Sequence, residues 1–290
     1  MKLDTIVGEP WGDYGLIDSG WGRKFERYGN VRIVRPEPQA MWHPAKPRWL
    51  HDAEFVAASD DDGGGRWKYE RELSQKGWPL EWDDLKFTAV TTPFRHLGFF
   101  PDMMPVWAFA REALGERAEP ECLNLFGYTG VGSLALASKG ARVTHVDASK
   151  KSVEAAKSNA KLAGLVDKPV RWMIDDAVKF TAREVRRARR YDGIILDPPK
   201  YGRGPEGEVW QLETGLAPLL GDVRRLVDDS SAFVFLTVYA IRMSALAVGE
   251  LMAQMFADLP GRVEAGELGV REEARGLVLP TAIWARWSNA

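Results

Sequence analysis

From Glu121 onward, short apolar runs alternate with longer segments whose apolar positions recur every three or four residues. The runs Cys122 to Phe126, Arg142 to Val146, Val170 to Ile174, Gly193 to Leu196 and Ala232 to Thr237 read as strands. Each is separated from the next by enough chain for a crossover helix, so the spacing predicts five parallel strands. Ser149 to Ala163 offers Ser149 as an N-cap, apolar Val153, Ala156 and Ala160 on one face, and Gly164 just past the end, which predicts a helix. A further helix is expected near Ile241 to Phe256. Beyond it, Arg262 to Val270 and Gly276 to Trp287 are joined too briefly for a crossover and are expected to pair antiparallel. The expected fold class is α/β, with a seven-stranded sheet of five parallel strands plus a C-terminal antiparallel pair.

The first part of the chain patterns differently. It holds seven of the 12 tryptophans, many prolines and short mixed segments such as Val31 to Arg35 and Leu85 to Val90, which read as short strands. The acidic and glycine-rich run Asp60 to Gly65 reads as a loop. Residues 1–92 are expected to form a small β-rich domain and 93–290 the α/β domain. In 290 residues, 39 Lys and Arg against 41 Asp and Glu leave a net charge of −2, so no global field marks the chain as a nucleic-acid binder. The single cysteine, Cys122, cannot form an internal disulfide, and the opening Met-Lys-Leu-Asp has no secretion-signal pattern, so a cytoplasmic location is expected. No apolar run reaches the ~18 residues that span a bilayer, and no membrane association is expected. The histidines, His43, His51, His96 and His145, show no metal-ligand spacing, and no metal is expected.

Candidate chemistry gathers where predicted strands end. The first runs into Asn124-Leu-Phe-Gly-Tyr-Thr-Gly-Val-Gly-Ser133, placing Gly127, Gly130 and Gly132 before a helix, at the edge where open α/β sheets bind ligands. The G-x-x-G-x-G spacing differs from the G-x-G-x-x-G of a pyrophosphate-binding turn. The second strand ends at Asp147, about 20 residues on, where a carboxylate can accept both hydroxyl hydrogens of a ribose; the alternative is a capping or solvated strand-end acid. The third ends at Asp175-Asp176, where Asp176 suits either the exocyclic amine of adenine or the N-cap of the next helix. The fourth ends in Asp197-Pro-Pro-Lys-Tyr201, followed by Gly202-Arg-Gly-Pro205, read as flexible. Two prolines stop the strand and fix the backbone, presenting a carboxylate and a ring at the cofactor edge. Asp197 and the Pro198 carbonyl can accept hydrogens from an amino nitrogen, Tyr201 can stack on a flipped-out base, and Lys200 can neutralise a phosphate. A rigid turn in an inert loop is the alternative.

On these motifs the sequence resembles the class I, Rossmann-like methyltransferases, and more narrowly the large-subunit ribosomal RNA cytosine-C5 methyltransferases and their uncharacterised relatives. The resemblance rests on Phe126-Gly-Tyr-Thr-Gly130, Asp147, Asp176, Asp197-Pro-Pro-Lys-Tyr201 and Gly98-Phe-Phe-Pro-Asp102, and covers about Phe94 to the C-terminus. The predicted topology, unusual for nicotinamide dehydrogenases, agrees with it. It implies S-adenosyl-L-methionine as cofactor, with Phe99, Phe100 and Asp102 closing over it. The expected cofactor set adds Asn124, Phe126, Gly127, Tyr128, Thr129, Gly130, Asp147, Ala148, Ser149, Asp175, Asp176, Ala177 and Asp197. Asp197, Pro198, Lys200 and Tyr201 are the expected catalytic residues, and RNA, specifically rRNA, is the implied substrate.

The chain departs from that family at one point. The cytosine-C5 enzymes carry a cysteine nucleophile just after the fifth strand, and here Phe235-Leu-Thr-Val-Tyr-Ala240 has none. C5 of cytosine needs covalent addition at C6, so methylation of an exocyclic base nitrogen is expected instead. Methylation of a protein or small molecule and a non-catalytic cofactor-binding module stand as alternatives. Oligomeric state, monomer or homodimer, is left open. Arg183, Arg186, Arg187, Arg189 and Arg190 suit a solvated helix face or a phosphate contact, and the N-terminal tryptophans suit a core or a stacking platform.

Overall fold

The computed structural model describes residues 2–58, 64–239 and 243–289. The chain forms two compact units, one of Met1–Ile6, Pro105–Leu268 and Ala282–Ala290, the other of Val7–Met104 and Gly269–Thr281.

The second unit is β-rich. After β1 (Leu3–Gly8), which leads into it, β2 (Tyr14–Gly20), β3 (Arg23–Tyr28) and β4 (Val31–Pro36) pair antiparallel in sequence. β5 (Ala53–Ala57) adds parallel to β4, and β6 (Gly65–Tyr69) pairs antiparallel with β5, completing a five-stranded sheet. β7 (Trp78–Trp82) and β8 (Leu85–Ala89) form a separate hairpin. Of the expected Asp60–Gly65 loop, 60–63 lie outside the described residues, and Gly65 already opens β6.

The tryptophans here are anchored. A half-buried indole needs a partner for its N–H, and backbone carbonyls or a carboxylate supply it: Trp11 donates to Glu81 O (3.1 Å), Trp49 to Asp18 Oδ2 (2.8 Å), Trp67 to Thr92 O (2.7 Å) and Trp78 to Tyr28 O (2.9 Å). Trp49 also stacks on Phe25 at 5.5 Å. These four rings are half-buried, Trp82 is buried at 8% exposure, and Trp21 is 52% exposed.

In the first unit, α1 (Met104–Leu114, its first residue in the other unit) precedes β9 (Glu121–Leu125), α2 (Val131–Ser138), β10 (Arg142–Asp147), α3 (Lys150–Leu162), β11 (Val170–Ile174), α4 (Ala177–Arg186) and β12 (Gly193–Leu196). A short hairpin, β13 (Tyr201–Arg203) and β14 (Val209–Gln211), leads to α5 (Leu212–Arg224), β15 (Phe233–Tyr239), α6 (Ala245–Met255), β16 (Arg262–Arg271) and β17 (Val278–Ser288). The sheet order is β1-β16-β17-β15-β12-β9-β10-β11. Within it β15, β12, β9, β10 and β11 run parallel, and β17 is antiparallel to β15. All four residues of β12 are buried, as a central strand covered by helices on both faces requires.

The sheet has eight strands where the sequence pattern counts seven. The extra one is β1, whose first three residues are exposed, so it carries no apolar run to mark it. The helix expected near Ile241 begins at Ala245, where the Ser244 hydroxyl accepts the Leu246 N–H (3.1 Å); 240–242 lie outside the described residues. The segment read as flexible, Gly202 to Pro205, is partly strand: Gly202 and Arg203 pair with Trp210 and Val209. Short antiparallel pairing fixes backbone that composition alone leaves free.

Candidate active site

Strand order decides where the site lies. From β9 the chain moves outward through β10 and β11, then crosses back to β12 on the other side, so the order reverses between β9 and β12. Open α/β sheets bind ligands at such a reversal, beyond the carboxyl ends of the strands. Leu125 pairs with Val146 on one side and Leu196 on the other, so Phe126, Asp147 and Asp197 follow three adjacent strands at one edge. At ~4.8 Å per strand, the two carboxylate-bearing positions flank the glycine turn with roughly 10 Å between their backbones.

The turn is tightly stitched. Phe126, Tyr128 and Gly130 have φ of 57°, 50° and 81°, in the left-handed region that costs a bulky L-residue energy and clusters at functional sites. Gly127 donates to Val146 O (3.0 Å) and Gly130 to Gly127 O (3.0 Å), while the carbonyl of Thr129 accepts from Asn159 Nδ2 (3.0 Å). Gly130, N-cap of α2, could not carry a side chain: a Cβ there would lie 2.6 Å from that of Ala156. A Cβ on Gly127 would meet the His145 ring at 2.5 Å.

Asp147 braces the turn. Its Oδ2 accepts the Tyr128 N–H (2.9 Å) and its Oδ1 the Ser149 N–H (2.8 Å). Burial pushes its pKa up against these two bonds. Ser149 caps α3 by accepting from Ser152 N (3.2 Å), as its position in the sequence suggests, and Ala148 is half-buried between the two. Asp176 caps α4 through Oδ1, which accepts the Lys179 N–H (2.9 Å), and Ala177 is buried at the first turn of that helix. Asp175 is ion-paired with Arg183. Arg187 pairs with the buried Glu184 (2.9 Å), Arg189 with Glu121 (3.3 Å) and Arg190 with Asp228 (3.8 Å), so each of these arginines has a carboxylate partner.

Beneath the turn Asn124 Nδ2 donates to Ser133 Oγ (2.9 Å), which lies 2.9 Å from His145 Nδ1. Burial lowers the pKa of His145 to about 4, and that of His96, in the β-rich unit, to about 3, with Arg35 and Arg95 adding to the latter. Each stays neutral in the fold while its unfolded counterpart takes a proton near 6.5. Their contribution is therefore complete above pH 6.5 and is lost as pH falls, down to about 4 for His145. The unfolding free energy from urea titrations is expected to fall between pH 7 and 5, by up to about 1.4 kcal/mol per pH unit per proton taken up. His145→Gln should flatten that slope; a slope unchanged from wild type would remove His145 from the account.

The second corner follows β12. Asp197 Oδ1 accepts from Thr237 Oγ1 (2.7 Å), on the neighbouring β15. Pro198 is buried, Pro199 and Lys200 are exposed, and Tyr201 is 51% exposed. Trp210 returns on β14 to donate its indole N–H to Pro199 O (2.6 Å), with its ring 5.2 Å from Phe126. Thr237 and Trp210 escape the sequence motifs. The exposed, buried, exposed pattern of Val209 to Gln211 is not marked in the sequence, where Val209 and Trp210 are both apolar, and nothing local marks Thr237.

Phe99, Phe100 and Asp102 belong to the β-rich unit. Phe99 is buried edge-on to Phe87 (4.8 Å) and Tyr28 (5.8 Å), Phe100 lies 4.8 Å from the His96 ring, and Asp102 is buried in a single 3-10 turn, Pro101–Met103. Among the described residues no group of three or more His, Cys, Asp or Glu is placed to hold a metal ion, and no helix is long and apolar enough to cross a membrane.

A solved S-adenosylmethionine-dependent methyltransferase of Agrobacterium tumefaciens superposes with a TM-score of 0.93 at 42% identity, over 99% of this chain and 94% of that one. The chain belongs to the S-adenosylmethionine-dependent methyltransferases. The methyltransferase is also 31% identical over 128 residues to ribosomal RNA large subunit methyltransferase K/L of Vibrio cholerae, covering 43% of this chain and 18% of that protein. It is 34% identical over 84 residues to ribosomal RNA large subunit methyltransferase I of Alteromonas mediterranea, covering 29% of this chain and 21% of that protein. These matches thus span about a fifth of the curated relatives' length. The family model described as conserved hypothetical protein 95 matches residues 107–211 of the methyltransferase. S-adenosylmethionine is its cofactor.

Proposed function

We propose that this methyltransferase acts on a base of large-subunit ribosomal RNA, at an exocyclic nitrogen. The observation that carries the choice of atom is the corner Asp197 to Tyr201, set beside the glycine turn with no thiol near it. The single cysteine, Cys122, is buried in β9 near its amino end, and burial, with Asp192 and Glu121 nearby, pushes its thiol far above the usual range. The RNA substrate is carried over from the matched ribosomal RNA methyltransferases.

The residues fit the cofactor. A carboxylate has about four acceptor sites, and Asp147 uses two of them on backbone N–H groups, so a pair of ribose hydroxyls can be accepted there. Those added donors would offset the burial that disfavours its charge. Asp176, one oxygen of which caps α4, is assigned with Ala177 and Asp175 to adenine, and Ala148 and Ser149 to the ribose edge. The 126–130 turn and the first turn of α2, with their close backbone, are assigned to the amino-acid part, with Asn124 supporting them from below.

When bound, the cofactor supplies a methyl group on a sulfonium, which leaves readily. What remains for the chain is placement, which can supply much of the rate. Asp197 and the Pro198 carbonyl accept the hydrogens of the target amino group, turning its lone pair toward the methyl carbon. Asp197 would take the proton that the amino nitrogen gives up on accepting the methyl group. Tyr201 offers its ring to the base and Lys200 its charge to a phosphate.

Incubation with labelled cofactor and, separately, total RNA and total protein from cells lacking this chain tests the reading. Label recovered in an N-methylated nucleoside of large-subunit RNA is the expected result. Label in protein, or in 5-methylcytidine, would overturn it.

A further inference from the structure

We infer that Trp210 is a positioning residue that ties the acceptor corner to the cofactor turn, so that filling the turn stiffens the corner. The inference rests on the roles proposed above for residues 126–130 and 197–201. Its physical basis is that one side chain touches both. The Trp210 indole is buried, 5% exposed, and lies in the hydrophobic core with Leu125, Leu212 and Leu216. Its ring is tilted 52° against Phe126 at 5.2 Å, and Phe126 is the left-handed residue that opens the glycine turn. Its N–H donates to Pro199 O at 2.6 Å, inside the Asp197 to Tyr201 corner.

The backbone around it leaves the indole little freedom. Trp210 pairs across the β13–β14 hairpin with Gly202, and the following Leu212 N–H donates to Lys200 O (3.0 Å). At the far end of the hairpin Glu206 and Glu208 both engage Lys179 of α4, holding it down from outside. A group clamped this way passes a shift at one end to the other, as close-packed interiors do. With the turn empty, Phe126 can relax from its left-handed conformation and loosen the indole; with the turn filled, Phe126 is fixed, and through Trp210 so is the Pro199 carbonyl. The acceptor corner is then most rigid when a methyl donor is in place.

Hydrogen exchange with and without S-adenosylhomocysteine reads this directly, with no need for an acceptor. In the wild type the ligand should slow exchange at the amides of residues 127–130 and also at Lys200 to Arg203. Trp210→Phe keeps a ring against Phe126 but removes the donor to Pro199, and Phe126→Leu keeps that donor but removes the ring contact. With S-adenosylhomocysteine at a concentration that saturates each variant, the turn should still be protected and the corner no longer so. Turnover of Trp210→Phe should fall by about 5- to 10-fold, the worth of one neutral hydrogen bond, with affinity for S-adenosylhomocysteine within about 2-fold.

Protection of 200–203 in both variants equal to wild type would overturn the coupling while leaving the proposed function intact. Wild-type protein that shows no protection at 127–130 would instead remove the cofactor assignment of the turn. Should one variant fail to fold, the other decides between the two outcomes.

Discussion

Replacing Asp197 by Ala should lower kcat by about 10²- to 10⁴-fold, the range in which a positioned proton acceptor and its orienting bonds operate. Affinity for S-adenosylmethionine should stay within about 3-fold, because the groups assigned to the ribose and adenine lie on β10, β11 and their loops. The size of the effect follows from how Asp197 is held. It comes straight off β12, its Oδ1 accepts a bond of 2.7 Å from a fully buried Thr237 hydroxyl, and two prolines follow it. A side chain fixed on three sides loses little entropy when it meets the acceptor. Thr237→Val, which keeps the shape and removes the hydroxyl, should reproduce part of the loss, about 10-fold in kcat with KM for the cofactor unchanged. Single-turnover rates with saturating cofactor separate the two constants. An Asp197→Ala enzyme with wild-type kcat would show that the carboxylate serves the fold alone.

Much of this site can be read from the sequence because its parts lie at strand ends, and apolar runs mark strand ends well. The runs at Val170 and Gly193 coincide with β11 and β12, and the others differ from the observed strands by a residue or two. Once the strands are set in order, Gly130, Asp147 and Asp197 fall on one edge without any further information. What escapes is whatever depends on register between strands. Thr237 reaches Asp197 because Leu196 pairs with Leu236, and nothing in Phe235-Leu-Thr-Val reveals that pairing. Asp176 shows a different limit: aspartate at a strand-to-helix junction has the same sequence signature as cap and as ligand, and the structure shows the cap. The arginines of α4 and its C-terminal side read from the sequence as a solvated helix face, with a phosphate site as the alternative, and the structure sets Glu184, Glu121 and Asp228 opposite three of them.

Glu26→Ala should cost the β-rich unit about 3–5 kcal/mol, the usual result of stripping a buried charge of its partner. Glu26, 1% exposed, and Arg35, 5% exposed, lie on the paired strands β3 and β4. Two bonds of 2.7 Å join the carboxylate to the guanidinium, and the Tyr14 and Tyr28 hydroxyls both donate to Glu26 Oε1 at 3.0 Å. Burial opposes the charge on Glu26, but Arg35 and Lys24 outweigh it and hold the carboxyl below its usual value. Burial and Glu26 raise the Tyr14 hydroxyl well above its ordinary range, and Tyr28 likewise, so both remain neutral donors. With the carboxylate gone, Arg35 keeps, among the described residues, Tyr28 Oη and the Arg95 carbonyl, neither of them charged. The melting temperature of that unit should drop by about 10–20 °C. The double variant Glu26→Leu with Arg35→Met removes both charges and leaves volume behind, so it should be less destabilised than Glu26→Ala alone, because the pair as a whole recovers little beyond its own desolvation. Calorimetry on the three proteins orders them. Equal losses in the single and double variants would mean that packing around Glu26, and not the orphaned guanidinium, sets the penalty.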